Sequence, residues 1–131
     1  MIDMPPGTWD VAMDVNRLIP SSHQIVVTTP HPTASHVAER AGKMAAINNH
    51  NILGIVENIA YFQPPDLDQK YYLFGRGGSE QLAAKLGTDL IAQLPILAPS
   101  EDDFEPSIYK RGSLLFDKYN DLADKVQDSI A

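Results

Sequence analysis

Two spacings of apolar residues take turns along this chain. Val11, Val15, Leu18 and Ile19 recur at i, i+4, i+7 and i+8, one face of a helix, which Pro20 and the polar Ser21-Ser22 bring to an end. Residues 24–29, Gln-Ile-Val-Val-Thr-Thr, are β-branched and almost continuously apolar, as expected of a strand covered on both faces of a sheet, and Pro30 and Pro32 close it. Over 33–48 the helical spacing returns through Ala34, Val37, Ala38, Ala41, Met44, Ala45 and Ile47, mostly small residues suited to close packing. Residues 52–58 are a second short buried-type strand. Residues 79–86 predict a helix that turns Leu82, Ala83 and Leu86 inward, with Gly87 where a left-handed cap belongs, and 89–94 a third strand stopped by Pro95. Leu115, Tyr119, Leu122, Val126 and Ile130 define a C-terminal helix. Alternating strands and helices predict an α/β fold, a parallel sheet covered by helices.

Two stretches break this rhythm. Residues 1–4, Met-Ile-Asp-Met, run straight into Pro5-Pro6-Gly7-Thr8 and look like the tail of a strand whose beginning is missing. Between Tyr61 and Gly78 a polar loop with two prolines (63–70) leads into Tyr71-Tyr72-Leu73-Phe74 and then Gly75-Arg76-Gly77-Gly78, an excursion from the sheet. Its aromatics are either a partner-binding patch or a hairpin packed on its own domain.

Composition narrows the function. With 131 residues and 44% apolar content the chain supplies one modest core, so residues 1–131 are expected to form a single domain. Ten Lys and Arg against seventeen Asp and Glu give a net charge of −7, which argues against a nucleic-acid partner and an anionic membrane surface. No apolar run of about 18 residues is present to span a bilayer. The first residues lack a secretory leader and the chain has no cysteine, so the expected location is cytoplasmic. The missing cysteines also exclude thiolate zinc, a cysteine nucleophile and an iron–sulfur cluster held by this chain's own thiols. The spacing of His23, His31, His36 and His50 puts no two on one helix face, which favours exposed side chains over a metal cluster, and the acidic residues 101–105 read as a solvated loop.

In parallel sheets ligands bind beyond the carboxyl ends of the strands, which directs attention to residues 3–10, 28–31, 57–61 and 95–99. An Asp followed by Pro-Pro-Gly-Thr suits a nucleotide site, where the carboxylate holds Mg²⁺ through water and a glycine amide nears a terminal phosphate; the same residues also make an ordinary turn. The full set is Asp3-Met4-Pro5-Pro6-Gly7-Thr8-x-Asp10, Val26-Val27-Thr28-Thr29-Pro30, Leu53-Gly54-Ile55-Val56-Glu57-Asn58 with Tyr61-Phe62, Phe74-Gly75-Arg76-Gly77-Gly78 and Leu94-Pro95. In this order and spacing it resembles the Mrp (ApbC-like) branch of the deviant P-loop ATPases, relatives of MinD and the nitrogenase iron protein. The resemblance spans nearly the whole chain but only the carboxyl-terminal half of a family member.

It implies a MinD-like P-loop fold and an ATP- and Mg²⁺-dependent dimer that carries or assembles iron–sulfur clusters for client proteins. It further implies that Asp3 is the catalytic, Mg²⁺-side carboxylate and Gly7 the switch residue that senses the γ-phosphate. In the same way Asn58 reads the adenine edge, and Pro95 and Leu97 flank the base. Each has a plain alternative: Asp3 a turn former, Asn58 an Asx cap, Pro95 a strand stop.

The departures matter equally. No Gly-x-x-x-x-Gly-Lys-Ser/Thr occurs, and the one glycine cluster, residues 75–78, carries Arg76 but no Lys-Ser/Thr pair. Without that cradle the chain is expected not to hydrolyse ATP by itself. Where many relatives have Cys-x-x-Cys after the counterpart of Tyr61-Phe62, this chain has Gln63-Pro64-Pro65-Asp66-Leu67-Asp68, and Trp9 replaces a usual Gly beside the presumed phosphate site. A fold that lacks the phosphate-loop strand leaves the edge at Ile25-Val26-Val27 unpaired, which predicts self-association or a shifted sheet in which residues 1–4 do not pair. Two functions follow: a portion of an ATP-binding iron–sulfur carrier, or a degenerate, nucleotide-free module that pairs with itself or a partner.

Overall fold

The computed structural model describes residues 1–5, 9–47, 51–97 and 109–131, Trp9 by its backbone alone. Gly7, the ring of Trp9, His50 and the acidic residues 101–105 lie outside the described residues. The elements run α1 (Trp9–Leu18), β1 (His23–Thr28), α2 (Pro32–Ile47), β2 (Asn51–Glu57), α3 (Gly78–Leu86), β3 (Leu90–Gln93) and α4 (Leu114–Ile130). The three strands are parallel and stand in the order β1-β2-β3, each joined to the next by a helical crossover.

Helices α2 and α3 lie against each other and against one face of this sheet. Val26, Ile55, Ala38, Leu82 and Ala83 form the buried centre, with Ile52, Leu86 and Leu90 packed around it. Small residues on α2 allow this approach: Gly42 lies so close to α3 that a Cβ there would run into the methyl groups of Leu86. Register keeps the strand ends level, since Val26 stands opposite Ile55, Thr28 opposite Glu57 and Glu57 opposite Gln93. Between Gln24 and Ile25 the register shifts, because β2 contains the extra residue Leu53.

Helix α4 starts at Ser113, whose hydroxyl accepts a hydrogen bond from the Phe116 N–H at 3.3 Å. It packs on β3, where the Lys125 ammonium donates to the Ile91 carbonyl at 2.8 Å, and none of its side chains is fully buried. Among the described residues no helix is long and apolar enough to cross a membrane.

Two expectations need correction. Residues 1–5 form no strand; they are exposed and pair with nothing in the sheet, so Asp3 does not stand at a strand end. A four-residue apolar stub gains little without a neighbouring strand, and Pro5 has no N–H to give to one. Strand β1 is also covered on one face only. Val26 and Thr28 are 8% and 4% exposed, whereas Ile25 and Val27, on the opposite face, are 39% and 64% exposed. Helices α2 and α3 occupy the first face, and α4 packs chiefly on β3.

Candidate functional site

The carboxyl ends of β1, β2 and β3 converge on a small polar cluster. The Thr28 carbonyl accepts the Asn58 N–H at 2.8 Å, and the Glu57 carbonyl accepts the Leu94 N–H at 2.9 Å. Beyond the strands proper the ladder continues: Ala60 donates to the Leu94 carbonyl at 2.9 Å and Ile96 to the Tyr61 carbonyl at 2.7 Å. Residues 57–62 and 94–96 are thus laced side by side.

Glu57 is the centre of this arrangement, a carboxylate only 2% exposed. One of its oxygens accepts from the Ser79 hydroxyl at 2.6 Å and the other from the Gln93 amide at 2.7 Å. Ser79 sits in the first turn of α3, a helix that begins at Gly77 with φ +86° and has no capping side chain of its own. A carboxylate held beside that turn places negative charge near the positive end of the helix. Beside it Gly78 leaves room for Ser35, whose buried hydroxyl has no hydrogen-bond partner and would lie 3.4 Å from a Cβ at that position.

Asn58 follows Glu57 directly and is exposed. Its Oδ1 accepts the Ile59 N–H at 2.9 Å, which leaves the side-chain NH₂ facing solvent as a donor. Ile59 itself has φ +49°, the one positive φ of a non-glycine residue among the described residues, and for a β-branched side chain this is a strained backbone. Pro95 is buried and Leu97 half-buried on the adjacent segment. The structure therefore puts Asn58 and the 95–97 segment at the same end of the sheet. It does not bring Asp3 to them: no hydrogen bond or ion pair among the described residues ties Asp3 to this cluster.

The excursion between β2 and α3 closes over the same end. Phe62 and Tyr71 pair as an antiparallel bridge, the buried Tyr61 ring lies 6.1 Å from that of Tyr72, and each ring carries a cation, Lys70 at 4.4 Å and Arg76 at 4.8 Å. Tyr72 thus packs on its own domain, while Tyr71, Leu73 and Phe74 remain 40%, 62% and 43% exposed. The two readings of this aromatic run each hold for part of it.

The glycine turn at 75–78 does not fit a phosphate chain. The first turn of α3 is already tied to the Glu57 carboxylate, which would repel a second anion, and the nearest guanidinium, Arg76, rests on Tyr72. Asn58 thus offers an exposed amide donor at this end of the sheet. Among the described residues no three His, Asp or Glu side chains come together to hold a metal. Sequence reasoning missed the Glu57–Ser79–Gln93 network, although a lone Glu closing the apolar run Ile55-Val56 signals a charge that must find partners.

Comparison with known proteins adds three findings. A family model described as ParA, NUBPL iron-transfer P-loop NTPase, matches residues 1–127. An iron-sulfur cluster carrier protein of Bacillus subtilis (strain 168) is 41% identical over 133 residues, which cover 100% of this chain and 38% of the relative; one of Saccharolobus solfataricus is 34% identical over 131 residues, 96% of this chain and 44% of the relative. A solved nucleotide-binding protein of Archaeoglobus fulgidus, in complex with ADP, superimposes with a TM-score of 0.62 at 39% identity over 72% of this chain and 39% of that one. The three-stranded sheet and its helices are accordingly a truncated P-loop NTPase fold, and the chain spans less than half the length of these relatives.

Proposed function

The chain belongs to the ParA-type, NUBPL-like family of iron-transfer P-loop NTPases, and from that membership we propose that it is the base-reading portion of an ATP-binding iron–sulfur cluster carrier. One observation carries the reading: Asn58 stands exposed at the end of the central strand, hydrogen-bonded so as to present donors, beside a segment that ends in buried Pro95 and half-buried Leu97. That is a ledge for a flat, uncharged heteroaromatic ring with an acceptor on its edge, which an adenine supplies.

By itself the chain neither hydrolyses ATP nor ligates a cluster. The first turn of α3, after its glycine turn, is tied through Ser79 to the Glu57 carboxylate, and the chain has no phosphate-loop lysine and no cysteine. Asp3, as a Mg²⁺-side carboxylate acting through water, and Gly7, as a γ-phosphate sensor, have work only next to a phosphate loop that this sequence does not contain. The iron–sulfur cluster is cargo, passed to client proteins by the whole carrier in the cytoplasm. The exposed Ile25, Val27, Leu73 and Phe74 favour a second reading, a nucleotide-free module that binds through apolar surface.

A titration of the ¹⁵N-labelled chain with adenosine and guanosine nucleotides separates the two. Adenosine nucleotides are expected to shift the amides of Asn58, Ile59 and Leu97, the Asn58→Ala variant to lose those shifts, and inorganic phosphate to appear no faster than in buffer. Phosphate release above the buffer rate overturns the proposed inactivity; adenosine nucleotides that leave all three amides unmoved overturn the base-reading role in favour of the nucleotide-free module.

A further inference from the structure

Past the end of β2, the ladder that joins it to the segment after β3 contains one residue too many. In a regular parallel ladder a residue that donates to a carbonyl on its neighbour accepts from the N–H two residues further along that neighbour. Leu94 donates to the Glu57 carbonyl at 2.9 Å, so the N–H due to reach the Leu94 carbonyl is that of Ile59; the bond comes instead from Ala60, at 2.9 Å. Ile59 is therefore an inserted residue, and its φ of +49° is the conformation that takes up the extra length.

Both flanks pin the insertion. The Asn58 N–H is held by the Thr28 carbonyl at 2.8 Å on the β1 side, and the Ala60 N–H by Leu94 on the other. Glu57, one residue earlier, is fixed through Ser79 and Gln93. A β-branched residue stays at positive φ only where its surroundings over-determine the path of the chain. The displaced Ile59 N–H then needs an acceptor outside the ladder, and the Asn58 Oδ1 supplies it at 2.9 Å. A side chain otherwise free to rotate around χ1 and χ2 is thus tied to the backbone of the residue that follows it.

We propose that Ile59 is a positioning residue: its inserted N–H holds the Asn58 carboxamide by the oxygen, which leaves the NH₂ as the end offered to a ligand. Bulges beside functional sites re-aim neighbouring side chains in this way. The inference rests on the reading of Asn58 as the contact to a base, and adds what holds that contact in place.

Hydrogen exchange and an adenosine titration of the ¹⁵N-labelled full chain test it. The Ile59 amide is expected to be protected in the parent and in Asn58→Asp, which keeps an acceptor, and to exchange freely in Asn58→Ala. Deletion of Ile59 lets Ala60 donate to Leu94 within a regular ladder, so the fold persists by circular dichroism while adenosine affinity falls roughly fivefold or more, the worth of one hydrogen bond. Ile59→Asn, a residue that accepts positive φ, keeps the insertion and retains the parent affinity. A freely exchanging Ile59 amide in the parent overturns the proposal, as does Asn58→Ala that leaves it protected, a folded deletion variant that binds adenosine as the parent does, or Ile59→Asn that loses the response. Where the deletion variant does not fold, exchange of the Ile59 amide in the two Asn58 variants decides. A parent chain that does not respond to adenosine while its Ile59 amide is protected overturns the base reading, and with it the role assigned to the turn.

Discussion

Replacing Glu57 tests how the strand ends are held. Its two carboxylate oxygens accept from Ser79, which is fully buried, and from Gln93, at 2.6 and 2.7 Å. A hydrogen bond to a charged group contributes about 1.5–3 kcal/mol, so Glu57→Ala, which removes both and strands two donors, is expected to cost about 3–5 kcal/mol. Glu57→Gln keeps both partners: the new carbonyl accepts from Gln93, and the new NH₂ donates to the Ser79 oxygen, which has lone pairs to spare. It loses only the charge assistance and the attraction to the α3 N-terminus, together about 1–2 kcal/mol. Small domains are stable by about 5–15 kcal/mol, so the alanine variant should lie near the limit of folding. Urea denaturation followed by circular dichroism measures both, with the midpoint moving and the slope unchanged. If Glu57→Ala falls within about 1 kcal/mol of the parent, or Glu57→Gln is as damaging as Glu57→Ala, the network does not hold the strand ends. A cycle with Ser79→Ala isolates the pair and should return a coupling of about 1 kcal/mol or more.

Gly42→Val forces a branched side chain into Leu86 and is expected to destabilise by about 1–3 kcal/mol, with Leu86→Ala in the same chain recovering part of the loss; thermal unfolding of the two variants checks this. Hydrogen bonds from Lys43 first and Lys85 second hold the Glu39 carboxyl at about 2 instead of 4.5. Its contribution to stability is therefore complete above its ordinary value and fades as pH falls toward 2, and an NMR titration of the carboxyl should show Lys43→Met raising it more than Lys85→Met. Burial, and then the charge of the neighbouring Tyr109 phenol and its hydrogen bond, push the Tyr119 phenol above its ordinary value of 10.0; the two rings stack at 5.5 Å. Its absorbance titration should midpoint above that value and move back toward it in Tyr109→Phe, and the stability this group adds is lost as pH rises through the folded value.

The alternation of apolar spacings located all seven elements to within a residue or two, because β-branched runs between prolines and small-residue helices leave few other arrangements. Gly87 capped α3 in the left-handed conformation as its position foretold, donating toward Ala83 and Ala84. Coverage was harder to read. The run Ile25-Val26-Val27 has the composition of a strand buried on both faces, yet whether a face is covered depends on which helix lies over it, and no local pattern carries that. Residues 1–4 were apolar enough for a strand and lacked only a neighbour. At the site, Asn58 and Pro95 were visible as residues just past apolar runs, whereas the bonds from Glu57 to Ser79 and Gln93 join positions 22 and 36 residues away and exist only once the sheet is formed.

The order in which the elements touch has a consequence for how the chain acquires its structure. Strand β1 meets α2 and β2, α2 meets α3, and β2 meets β3, each a near neighbour along the sequence, while among the described residues α1 has only sparse contacts and α4 meets chiefly β3. Residues 23–97 can therefore condense through a succession of short loop closures, with Ile55, at 0% exposure, as the hub, before either end of the chain takes part. The helices at the two ends become late additions to an assembled kernel. The same hierarchy makes them the first to come apart: amide exchange in α1 should report local fraying, and exchange at Ile55 the global unfolding of the kernel.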